Sequence, residues 1–152
     1  MKKFLSVLCL SITVSHMALA DTTIPWTKAG CESVKGQWIT AHSSTDSGCD
    51  AAHCNGLSFC KSPQVMTWFS ALTWCKSIGH KLVDFNHLCP GIPTGLNGTT
   101  GACANVQGIS SGWGWTATPR DDRKSFAITL HNGSIDYNGE RNHNNVYAIC
   151  AE

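Results

Sequence analysis

Residues 136–145, DYNGERNHNN, hold the densest run of hydrogen-bonding side chains in the chain. Asp136, Asn138, Glu140, Arg141, Asn142, His143, Asn144 and Asn145 supply carboxylate acceptors, a guanidinium fork and amides that both donate and accept. The chemistry this set suits is non-covalent capture of a glycan or a protein, with Trp113 and Tyr137 as aromatic platforms. On that reading, alanine at Arg141, His143 and Asn144 removes capture without lowering the melting temperature. A competing reading is a solvated connection between strands, in which asparagines serve turn geometry. A third is a metal site built from Asp136, Glu140 and His143.

The remaining reactive-looking residues point to solvated or structural roles. Asp121 and Asp122 sit between Arg120 and Arg123, but adjacent turn residues point apart, so a solvated turn is expected rather than a carboxylate dyad. His80 and His87 flank a short element and read as satisfied structural histidines. No serine lies in a Gly-x-Ser-x-Gly elbow. Cys49, His53, Cys54 and Cys60 have the residue types of a zinc site, but a zinc thiolate set belongs mainly to a reducing compartment. Asn97-Gly98-Thr99 and Asn132-Gly133-Ser134 match glycosylation sequons, expected to be silent behind a leader of bacterial type.

That leader is residues 1–20. Lys2 and Lys3 precede an apolar stretch, and Ala18-Leu19-Ala20 offers a cleavage site before Asp21. Removing it takes Cys9 and two lysines away, leaving nine basic against ten acidic residues and no long apolar run. The expectation is an exported chain, secreted, periplasmic or at the cell surface, with no membrane span. It has no basic face for nucleic acid. Eight cysteines remain at 31, 49, 54, 60, 75, 89, 103 and 150, an even count that in an exported chain reads as four disulfides. With all eight paired, no cysteine nucleophile is left.

Several elements must carry these groups. Residues 21–30 read as an extended lead-in, CESVKGQWITA (31–41) as a strand or hairpin arm, and 42–62 as a cysteine-rich loop. Ser62-Pro63 suits a helix start; Trp68, Leu72, Cys75 and Ile78 form its inner stripe, with Phe69 and Trp74 on flanking faces, and Gly79 ends it. HKLVDFNHLCPG (80–91) is a short strand or second helix start. Residues 91–112 are a long loop that Cys89 and Cys103 can partly close. GWGWTAT (112–118) places Trp113, Trp115 and Ala117 on one face of a strand. In SFAITLHNGSIDYNG (125–139), Phe126, Ile128 and Leu130 alternate before an Asn132-Gly133 turn, with Ile135 and Tyr137 on the return. VYAICAE (146–152) closes the chain with Val146, Ala148 and Cys150 on one face.

This order, with TWFSALTWCKSIGHKLV early, GWGWTAT in the middle and NNVYAIC at the end, resembles the C-type-lectin-like superfamily in its bacterial secreted and surface branch, over residues 62–152. The resemblance implies an α+β fold: short helices packed on small antiparallel sheets, a long looped region and disulfide staples. Residues 21–61 would be a disulfide-rich hairpin extension and 62–152 the core. It implies a bridge from the first helix to the final strand, Cys75–Cys150; Cys89–Cys103 follows by exclusion and proximity. Three connectivities stay open among Cys31, Cys49, Cys54 and Cys60, of which the family's N-terminal hairpin bridge favours Cys31–Cys60 with Cys49–Cys54 inside it.

Sugar-binding members hold Ca²⁺ with Glu-Pro-Asn or Gln-Pro-Asp and Trp-Asn-Asp triplets. None is present, and loop 91–112 contains no carboxylate for a hard cation. The implied function is a calcium-independent binding module in adhesion or recognition at a cell surface, alone or in a larger assembly, without catalysis or cofactor. The alternatives are a secreted enzyme on the same fold and a structural subunit of a pilus or surface assembly.

Overall fold

A computed structural model describes residues 23–42, 56–89, 103, 105–106, 112–136 and 139–152. The expected leader, the expected Cys49–Cys54 bridge, the Cys49, His53 and Cys54 arm of the candidate zinc cluster and most of loop 91–112 lie outside these residues.

Thr27 caps α1 (Lys28–Ser33), its hydroxyl accepting from the Gly30 N–H at 3.1 Å, and the helix buries Cys31. The lead-in is therefore helical from Lys28. Lys35 at φ 60° and Gly36 turn the chain into β1 (Gln37–His42). A Cβ on Gly36 would stand 2.7 Å from the Sγ atoms of both Cys31 and Cys60, so the disulfide between them requires glycine there.

The segment expected to be loop and then helix start is instead β2 (Ser58–Met66), antiparallel to β1 with Trp38 opposite Cys60. Ser62 does not cap a helix: its hydroxyl accepts from the Ala148 N–H at 3.0 Å and donates to the Gln64 carbonyl at 2.7 Å. It braces an irregularity between Lys61 and Val65 that keeps the strand paired to the end of the chain. Helix α2 (Trp68–Ser77) begins one turn later than the sequence suggests, capped by Thr67, and ends through Ile78 and Gly79 at φ 83°. Cys75 and Ile78 on its inner stripe are buried, and Trp68, Leu72 and Trp74 are half-buried.

β3 (Lys81–Leu82) and α3 (Phe85–Leu88) follow, so residues 80–91 contain both a strand and a helix. Then come β4 (Asn105–Val106), β5 (Trp113–Pro119), β6 (Ser125–Thr129), β7 (Ile135–Asp136) and β8 (Val146–Ala151). The Asn132-Gly133 turn forms between β6 and β7, with Gly133 at φ 64° and the Asn132 side chain accepting from Ser134 N–H.

The architecture is α+β, but the strands join one mixed sheet rather than several small antiparallel ones, in the order β4-β1-β2-β8-β5-β6-β7. β8 is its spine. β2 runs antiparallel along one edge; on the other, β5 pairs in parallel with the first half and β3 antiparallel with the second. Alternation along β8 and β6 therefore separates two cores rather than core from solvent. Val146, Ala148 and Cys150 join Trp115, Ala127, Cys60 and Cys75 beneath α1 and α2. Ile149, Phe126, Ile128 and Leu130 join Phe59 and Phe85 on the other face.

Among the described residues two disulfides tie helices to this sheet, Cys31–Cys60 from α1 to β2 and Cys75–Cys150 from α2 to β8, and a third, Cys89–Cys103, lies beyond α3. No described helix is long and apolar enough to cross a membrane.

Candidate functional site

Two indoles fix the start of α2 to the sheet. Trp115, fully buried, donates its Nε1–H to the Met66 carbonyl at 2.9 Å, and Trp68 donates to the Thr116 carbonyl at 2.8 Å. The chain before β8 packs against this corner because of Gly139. A Cβ there would approach the Ser125 carbonyl oxygen and the Trp115 ring, each at 2.8 Å, so only glycine lets loop 139–145 lie flat on the tryptophan.

Arg141 then closes the corner. Its guanidinium lies 4.5 Å from the Trp68 ring centroid. Nε donates to Ser125 Oγ at 2.9 Å, and the two Nη atoms donate to the Asp122 and Asp121 carbonyls at 3.1 and 2.8 Å. Its own carbonyl accepts from Trp68 N–H, one of the helix's orphan donors, and its N–H reaches the Arg123 carbonyl, both at 3.0 Å. Arg141 is thus a positioning residue that binds turn 121–124 to α2, a role the sequence reading did not give it.

Asp121 is equally structural. Oδ1 accepts from the Arg123 and Lys124 N–H groups at 2.9 and 2.8 Å, an Asx turn. The backbone bond from Arg123, then that from Lys124 and the nearby cations, hold its carboxyl below the usual aspartate pKa. It forms a solvated turn, as expected, and no dyad with Asp122.

Phe69, in the first turn of α2, is 60% exposed; among the described residues it and Val65 are the large apolar side chains left open to solvent. Its ring meets Trp68 edge-on, 5.2 Å between centroids at 80°. On one side it walls a pocket of about 250 Å³ with Asp122, Arg123, Glu140, Arg141 and Asn142. On the other it walls an open groove of about 560 Å³ with Gln64, Met66, Ser70, Thr73, Trp74 and Ser77. Among the described residues no ion pair joins Arg123 to Glu140.

The structure brings Glu140, Arg141 and Asn142 of the candidate set together at Phe69. It parts His143 and Asn144 from them: with Asn145 they line a separate shallow depression of about 210 Å³, set off by the turn in which His143 N–H bonds the Glu140 carbonyl. Trp113 is half-buried against the helix-side core and walls neither cavity beside Phe69. The Asp136 side chain, Tyr137 and Asn138 lie outside the described residues. Among the described residues no three His, Cys, Asp or Glu side chains converge as a metal-ligand set, and Cys60 is bonded to Cys31 rather than free for zinc.

Sequence reasoning missed Phe69, Asp122 and Arg123 as partners of loop 139–145. The signal for Phe69 was present: a large aromatic set off the Trp68-Leu72-Cys75 stripe, on the face shared with Thr73 and Lys76. What this arrangement can do is hold a ligand with an apolar face and several hydroxyl or amide groups. Compared with known proteins, the chain matches no family model, no curated protein and no solved structure.

Proposed function

We propose that this chain is an exported, non-catalytic recognition module of C-type-lectin-like type. It takes a surface ligand in the pocket formed by Phe69, turn 121–124 and loop 139–145. The observation that carries this is a 60% exposed aromatic ring that meets Trp68 edge-on, with Arg141 stacked on that tryptophan and Arg123 and Glu140 at the rim of the same pocket. An aromatic with one apolar side offered to solvent and polar groups at its rim is the composition of a binding site rather than of ordinary surface. The C-type-lectin-like reading rests on the Cys75–Cys150 tie between first long helix and final strand, and on the order of the elements around it. Export rests on the leader sequence and is compatible with three disulfides.

A glycan array probed with and without chelator, using the parent and Phe69→Ala, tests the proposal. The expected result is retention that ignores chelator and disappears in the variant while its melting temperature holds, since the ring is largely exposed. Retention by Phe69→Ala equal to the parent's, or no retention of any glycan, overturns it.

A further inference from the structure

Four of the described cysteines meet in one place. Cys60 of β2 stands directly opposite Cys150 of β8 in the antiparallel register, in a row that runs Trp38, Cys60, Cys150, Leu82 across four strands. Each of the two facing cysteines is bonded to a helix, Cys60 to Cys31 in α1 and Cys150 to Cys75 in α2. All four are buried in the core beneath those helices.

We infer that the two bridges form an exchangeable pair: a dithiol that opens Cys31–Cys60 converts the fold to a second covalent state, with Cys60 bonded to Cys150 across the strands and Cys31 and Cys75 as free thiols. The register admits the new bond. Directly opposed residues in antiparallel strands lie about 4.5 or 5.5 Å apart at Cα, according to the type of pair, and both spacings fall within the roughly 4.4–6.8 Å that a disulfide spans. Both side chains leave the same face of the sheet, since both belong to the helix-side core. Cys60 and Cys150 therefore need only turn their side chains; neither strand moves.

The order of events follows from how each helix is held. α1 has six residues, too few to persist without anchors, and Cys31 is its covalent one. α2 is longer, and its start is fixed by the Trp68 and Trp115 indoles and by the Arg141 carbonyl. The sulfurs are screened from solvent, so local opening precedes attack, and α1 opens at the smaller cost. One thiolate of the dithiol attacks Cys31 Sγ, and the electron pair of the broken S–S bond leaves on Cys60. The dithiol's second sulfur then closes the reagent's own disulfide and releases Cys31. Attack at Cys60 Sγ instead arrives at the same two thiols. The Cys60 thiolate, already beside Cys150, attacks its Sγ and expels the Cys75 thiolate. Cys31 and Cys75 take up the two protons that the dithiol loses, and the protein gains the two electrons that the dithiol gives. The sheet stays cross-linked while both helices are released from it. Phe69 rides on α2, so the pocket beside it is then no longer tied covalently to the sheet. Cys89–Cys103, in the opposite core, takes no part.

The test treats the folded full-length chain with dithiothreitol at about 0.1 mM and about pH 8.5, near the ordinary thiol pKa, and blocks free thiols with N-ethylmaleimide as Cys31–Cys60 is lost. Unreduced peptides are mapped after trypsin and chymotrypsin, which separate Cys60 from Cys54 at Phe59. The expected product carries a Cys60–Cys150 link with labels on Cys31 and Cys75. Labels on Cys31 and Cys60 with Cys75–Cys150 intact, or loss of both bridges with no new link, overturns the inference. Cys31→Ala/Cys60→Ala removes the internal attacker. A neighbouring group acts at an effective concentration of about a millimolar or more, so Cys75 in this variant should be labelled at least about tenfold more slowly than in the parent. A merely structural bridge predicts the reverse, because its loss loosens the core; labelling as fast as the parent's or faster overturns the exchange. Should that variant not fold, Cys31→Ala/Cys75→Ala leaves the two facing cysteines alone. They should close to a disulfide in a glutathione redox buffer, and two persistent thiols in the folded chain would refute the register argument.

Discussion

Replacing Arg141 by alanine should destabilise the fold rather than merely blunt a ligand loop. The side chain donates three hydrogen bonds, to Ser125 Oγ and to the Asp121 and Asp122 carbonyls, and lies over the Trp68 ring. Hydrogen bonds from a charged donor contribute about 1.5–3 kcal/mol each when sheltered, but two of these three are exposed and the group acts as a unit. Ser125 is fully buried and loses its donor; Trp68 loses the cation on its face. The net cost should be about 3 kcal/mol, which for a domain of this size lowers the melting temperature by roughly 10 °C. Differential scanning calorimetry of the parent, Arg141→Ala and Arg141→Lys measures it. Lysine keeps a charge near Trp68 but cannot reach three acceptors in a fixed fork, so it should recover less than half of the loss. An alanine variant melting within about 2 °C of the parent would refute the clamp argument. Arg141 would then return to the ligand-contacting set.

Other expectations follow from single contacts. Gly139→Ala puts a methyl against the Ser125 carbonyl and the Trp115 ring and should cost about 2 kcal/mol in chemical denaturation; an unchanged midpoint would show that the loop can lift away. The paired change Cys75→Ala/Cys150→Ala opens a closed loop of 75 residues and should cost about 4 kcal/mol in the loop-entropy model, read as a large fall in melting temperature. Lys61 is 8% exposed, with Nζ 3.6 Å from the Tyr147 ring centroid, and burial pushes its pKa below the usual lysine value. The folded chain therefore sheds this proton before the unfolded chain does. Between the lowered value and the ordinary one the unfolded state holds more protons, so stability rises with pH across that window. Urea denaturation from neutral pH upward should show this rise in the parent and a flatter response in Lys61→Met; an equal slope in both would remove Lys61 as its source.

Much of the architecture was legible because it is written in local pattern. Trp113, Trp115 and Ala117 share a strand face, Val146, Ala148 and Cys150 share another, and Asn132-Gly133 makes its turn. These signals depend on side-chain period and backbone freedom, which neighbouring residues set by themselves. The bridge Cys75–Cys150 was not legible from spacing; likeness to a family supplied it, and the structure places both cysteines in one core. Residues 58–66 misled because Ser62 and Pro63 form a good helix start in isolation. Their strand state depends on β8, some 80 residues away, which supplies the Ala148 N–H to Ser62 and the pairing to Val65 and Met66. The candidate site was half legible for the same reason. Loop 139–145 announces itself by polarity, but nothing local says that Arg141 turns inward to serve three backbone and hydroxyl acceptors.

Composition and spacing alone determined an acid-base-balanced chain with an even set of cysteines beyond the expected leader, amphipathic strands and one inward-striped helix, because each of these is a property of neighbours along the chain. Tertiary structure alone decided that β8 carries strands on both edges, that alternation separates two cores instead of core from water, and that Phe69 meets turn 121–124 and loop 139–145. Those outcomes come from contacts between residues some 50 to 90 positions apart, whose free energy depends on shape and burial that no local window contains.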